Sequence, residues 1–174
     1  DTLGRAEHTA RQQAYAVRFH DRKYTPQMVV DGNAHLAGNQ PAKVARSVNA
    51  RHAEVEAEPD LQWETGDGAI TLHMPARKAA AAEATVWLVL FDHKTETAIK
   101  RGENAGETIT YTNAVRELTP VGTWNTAEPL AMQIGMPMLR EGGHDGAAVI
   151  IQEGEAGPVI NASLIDIATA AADH

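Results

Sequence analysis

The 174-residue sequence contains no cysteine. That excludes a disulfide framework, a thiolate zinc site and any cysteine nucleophile supplied by this chain, and it leaves the redox compartment unreadable. No apolar run approaches the roughly eighteen residues that a membrane-crossing helix needs. Basic residues are outnumbered, 15 Lys+Arg against 23 Asp+Glu, for a net charge of −8, which argues against a general nucleic-acid binder. No basic stretch followed by an apolar one precedes the first helical pattern, so no signal peptide is visible. The chain starts at Asp1 and reads as a mature or truncated polypeptide. Metal-ligand spacing is also missing: His8, His20, His35, His52, His73, His93, His144 and His174 form no H-E-x-x-H pattern, and no metal or cofactor is expected. What is present, 43% apolar and 22% charged residues, is the profile of a folded protein, long enough for one ordinary domain or two small ones.

The chain divides before Pro59. Residues 1–58 carry 8 Lys+Arg and 7 Asp+Glu, whereas residues 59–174 carry 7 and 16. The apolar period changes at the same place, from helical spacing to alternation and short runs. In the first segment Ala6, Ala10, Ala14 and Val17 fall on one helical stripe, with Arg5, Glu7, Arg11, Gln12 and Arg18 on the other face. Tyr24-Thr25-Pro26-Gln27-Met28-Val29-Val30 is an X-Pro entry into a strand, and Asp31-Gly32-Asn33 is a hairpin turn signal. A return strand at His35-Leu36-Ala37 leads to a second helix with Pro41 in its first turn. Its expected inner stripe is Val44, Ala45, Val48, His52 and Val55.

The second segment reads as short strands over 61–65, 70–74, 84–91, 97–101, 108–111, 115–118, 130–134, 147–152 and 159–165, with a tail over 168–174. Their spacing of about ten residues, with Gly, Pro and Asn between them, predicts an antiparallel β-sandwich rather than βαβ units. Arg101, Glu103, Asn104, Arg116, Glu117, Gln152 and Glu153 are expected to form one polar cluster, because charged groups inside strands need partners. Its reading is structural, an ion-paired lock on the sandwich, in preference to a polar site. Trp63, Trp87 and Trp124 could line a sugar-binding face, but core packing is their commoner fate.

Several motifs together resemble a family of bacterial secreted proteins catalogued as a domain of unknown function. They are Arg11-Gln12-x-Ala14-Tyr15-Ala16, the Tyr24 to Gly32 run, Val86-Trp87-Leu88-Val89, Arg101-Gly102-Glu103-Asn104-Ala105-Gly106, Asn113-x-Val115-Arg116-Glu117 and Gln152-Glu153-Gly154. The resemblance covers residues 1 to about 167. It implies an α+β fold in which residues 1–58 are the C-terminal half of a thioredoxin-like domain and residues 59–167 are the β-sandwich. It also implies a periplasmic or secreted location. Thr25-Pro26 stands where such folds place a cis-proline beside a Cys-x-x-Cys, so Tyr24, Thr25, Pro26 and Gln27 would form the substrate-binding wall. Family members carry the cysteine pair upstream of the region beginning here. This chain alone is therefore expected to lack redox catalysis, since exchange needs a thiolate. Lacking the strand that leads to those cysteines, Gln27–Val30 is expected at an open sheet edge, covered by a protein partner or an N-terminal segment. A thiol–disulfide role thus depends on the absent half, and the alternative is a non-enzymatic binding or assembly module.

Overall fold

The structure, a computed structural model, describes residues 6–55, 61–66, 68–77, 81–100, 105–165 and 167. Helix α1 (Ala6–Arg18) comes first. It ends where His20 takes a left-handed conformation and the Asp21 N–H donates back to the Ala16 carbonyl, closing the helix terminus. Strands β1 (Gln27–Val30) and β2 (Ala34–Ala37) form an antiparallel hairpin. Asp31 and Gly32 supply the two positive φ angles, 47° and 64°, of its turn. Helix α2 (Pro41–Val55) packs on this hairpin. Its inward residues are Val44, Ser47 and Arg51, while Ala45, Val48 and His52 are exposed. Of the expected stripe Val44 thus keeps its inward place, the other three turn outward, and the Val55 side chain lies outside the described residues. On the inward side the Arg51 guanidinium reaches the Asp31 carboxylate at 3.2 Å.

The remaining elements form two antiparallel sheets. Strands β3 (Gln62–Gly66), β4 (Ala69–Met74) and β7 (Leu130–Gly135) make the smaller one, in the order β3-β4-β7. Strands β5 (Glu83–Ala98), β6 (Thr108–Asn125), β8 (Gly146–Gln152) and β9 (Val159–Ile165) make the larger, in the order β6-β5-β8-β9. A short helix α3 (Met136–Leu139) follows β7. One apolar core joins the sheets, with Ile70 and Leu72 of β4 and Val86, Leu88, Val149 and Ile151 of β5 and β8 essentially inaccessible. Strict alternation along β4 sends every second residue into it. No helix among the described residues is long and apolar enough to cross a membrane.

The separate strands expected over 84–91, 97–101, 108–111 and 115–118 are replaced by two long ones of 16 and 18 residues. Pro120 and Gly122 look like breakers, yet β6 is an edge strand, where a missing N–H costs nothing on the solvent side. Register shifts between Val86 and Trp87 and between Leu90 and Phe91 absorb the irregularity as bulges. Of the expected polar cluster, Arg101, Glu103 and Asn104 lie outside the described residues, as do residues 168–174.

Candidate functional site

The face of the larger sheet that turns away from the core carries Trp87, Val89, Leu118, Ile150 and Gln152, and α1 lies against part of it. The helix does not present its alanine stripe. Tyr15 and Ala16 are buried and Arg11, Gln12 and Phe19 are half-buried, whereas Ala10 is exposed and Val17 is 65% exposed. Aromatic rings bury far more apolar area than methyl groups, so Tyr15 and Phe19 set the helix rotation. Phe19 stacks on His35 at 4.4 Å and on Tyr15 at 5.9 Å.

That rotation carries Arg11 inward. Its Nη2 donates to the Gln152 Oε1 at 2.7 Å and to the Tyr15 hydroxyl at 3.1 Å, and its Nη1 donates to the Glu155 carbonyl at 3.0 Å. The guanidinium carbon lies 5.2 Å from the Tyr15 ring and 5.3 Å from the Trp87 ring, within reach of both π faces. Gln152 is wholly buried and fully satisfied, since its Nε2 also donates to the Tyr15 hydroxyl and the Gly157 carbonyl. The Trp87 Nε1–H is buried and has no acceptor.

Beside this junction is a cleft of about 670 Å³. Val89, Leu118, Ile150 and the β6 residues Tyr111, Thr112, Ala114 and Val115 line its sheet side. Across from them stand His8, Thr9, Arg11, Gln12 and Tyr15 of α1, joined by Thr25, Pro26 and Gln27. The cleft therefore contains three of the four wall residues expected from sequence. The Thr25–Pro26 peptide bond is cis. Tyr24 does not line the cleft; its hydroxyl meets His35 Nδ1 at 3.0 Å and its carbonyl accepts from Gln12 Nε2 at 3.4 Å.

The expected polar cluster divides in two. Gln152 belongs to the Arg11 junction, and the Glu153 carboxylate accepts from the Ala81 N–H at 3.3 Å. Arg116 and Glu117 sit elsewhere, with Asp92 and His144, which the sequence reading did not select. Arg116 is the unopposed residue of the bulge where Leu90 faces Glu117 and Phe91 faces Val115. A bulge re-aims its extra side chain, and here Arg116 Nε donates to Asp92 Oδ2 at 2.7 Å. His144 Nδ1 lies 2.8 Å from Asp92 Oδ1, and its Nε2 lies 3.8 Å from Glu117 Oε1. The signal for Asp92 was its place directly after the apolar run ending at Phe91. His144 had none, because it lies 52 residues from Asp92. Among the described residues no group of side chains is arranged to hold a metal ion.

The His144 hydrogen bond is the main cause that holds the Asp92 carboxyl below its usual range; burial opposes it, and the Arg116 hydrogen bond and the two positive charges add to it. The unfolded chain therefore takes up this proton at higher pH than the folded one. The resulting stability is present above the usual carboxylate range and is lost as pH falls through the depressed value. Asp92→Asn should lower the urea midpoint at neutral pH. Its difference from the parent should shrink as the pH falls through and below the usual carboxylate range. A difference constant across that range would show that the Asp92 charge does not stabilise the fold.

Residues 1–152 match the family described as "Protein of unknown function (DUF1223)". The chain belongs to this family. No curated protein matches it. Its fold is similar to that of a crystal structure of a structural-genomics target from Agrobacterium tumefaciens, at 19% sequence identity and a TM-score of 0.76. The alignment covers 95% of this chain and 72% of that one.

Proposed function

We propose that this DUF1223 chain forms the substrate-side part of a secreted or periplasmic thioredoxin-like protein. Residues 1–58 are its C-terminal thioredoxin-like half and residues 59–167 its β-sandwich. A segment or chain carrying the thiol pair docks beside the cleft. The observation that carries this reading is the position of Thr25, Pro26 and Gln27 on one wall of a cleft whose other wall is a largely apolar sheet face. An apolar pocket with a few convergent polar groups is where ligands bind. The free side of β1 supports it as well, because among the described residues β1 pairs with β2 alone. That edge equally favours the second reading, a binding module that takes a partner by strand addition.

Insulin reduction by the full gene product and by this chain separates the two. The thiol–disulfide reading expects activity in the full product and none in the cysteine-free chain. An inactive full product that still shows slowed amide exchange over Gln27–Val30, relative to the chain alone, would overturn it in favour of the binding module.

A further inference from the structure

Arg11 holds a positive charge whose described partners are all neutral: a glutamine oxygen, a phenol oxygen and a backbone carbonyl. These bonds use three of its five N–H donors. Among the described residues no Asp or Glu lines the cleft, although the chain as a whole carries 23 of them and a net charge of −8. A half-buried cation stacked on two aromatic rings, with no carboxylate among its described partners, is an electrostatic demand that an anion would meet. The opposite wall, with Val89, Leu118 and Ile150, is apolar. The volume of about 670 Å³ falls within the range of small-molecule sites, roughly 300–1,000 Å³.

We propose that this cleft binds a small amphiphilic carboxylate of the fatty-acid class, its carboxylate on the Arg11 guanidinium and its apolar body on Val89, Leu118 and Ile150. Arg11 suits the task because its Nε–H and one Nη1–H are not used by these bonds, and a charge-assisted hydrogen bond to a carboxylate is shorter and stronger than a neutral one. Its stacking on Tyr15 and Trp87 and its bond to the buried Gln152 hold the group in place before the ligand arrives, which lowers the ordering cost of binding. The net negative charge of the chain opposes an anion at long range. Screening over about 8 Å at physiological salt leaves the neighbouring guanidinium dominant.

The proposal shares the cleft with the reading above but does not rest on thiol chemistry. It is tested on the cysteine-free chain, so either can fail alone. Calorimetric titration with octanoate and with 1-octanol compares ligands that differ at the head group. Octanoate should bind at least about tenfold more tightly than octanol. Arg11→Gln should weaken octanoate about tenfold or more and leave octanol within about threefold, while Arg11→Lys retains part of the preference. Leu118→Glu should weaken octanoate more than octanol. Equal binding of the two ligands, no binding of either, or an octanoate affinity unmoved by Arg11→Gln would overturn the proposal. If Arg11→Gln fails to fold, the octanoate-to-octanol ratio of the parent chain decides alone.

Discussion

Gly32→Ala should lower the unfolding free energy by about 2–4 kcal/mol, read as a fall in the urea midpoint with an unchanged denaturant slope. Gly32 has a φ of 64°, and a Cβ built there runs into the Gly157 carbonyl. That carbonyl already accepts the Gln152 amide at 2.7 Å. The same turn is bound on both sides. The Asp31 carbonyl accepts the Val159 N–H at 2.8 Å, and the Gly32 carbonyl accepts Arg18 Nε at 3.0 Å. An added methyl must therefore displace backbone that anchors the hairpin to α1 and to the start of β9. Gly154→Ala provides the comparison. Gly154 also has a positive φ, 57°, but nothing lies within 4 Å of its Cβ position. It should show only the conformational part, about 1 kcal/mol. Equal losses at the two positions would mean that the turn does not dock on Gly157.

Gln152→Ala should cost a comparable amount, about 2–4 kcal/mol. The side chain is completely buried and makes three hydrogen bonds, to Arg11, to the Tyr15 hydroxyl and to the Gly157 carbonyl. Truncation leaves a cavity, and it deprives a cation and a carbonyl of their partners in a region that water reaches poorly. Gln13→Ala, at an exposed position of α1, should change stability by no more than about 0.5 kcal/mol. Because Gly32 and Gln152 act through the same Gly157 carbonyl, the double variant should lose less than the two single losses together. Additive losses would place the two residues in independent contacts. A Gln152→Ala chain as stable as the parent would remove the junction from any account of how α1 is held.

Local patterns in the sequence were enough to place most of the elements. Alternation along β4, β-branched residues in β1, Asp31-Gly32-Asn33 at the hairpin and Pro41 at the start of α2 each act over a few neighbouring residues, and each element appears close to its expected bounds. The resemblance to a family of unknown function also rested on short runs of residues, and the family match spans residues 1–152. The inward faces of both helices were not legible. Arg11 and Arg51 look like surface cations in a helical wheel, and only distant partners, Gln152 and Asp31, make them inward-facing. The lengths of β5 and β6 escaped for a related reason. The expected strands stopped at 111 and 118, and it is an edge position and two bulges that let one strand run on through Arg116, Pro120 and Gly122.

Secondary structure and the absence of a thiol were thus properties of the chain read by itself, because both depend on residue type and near neighbours. The cleft, the lack of acidic residues among those described around it, and the pairing of Asp92 with His144 were decided only in three dimensions. They join residues as far apart along the chain as His8 and Ile150, and the free energy of such contacts comes from burial and charge that exist only after the sheets and α1 have packed together.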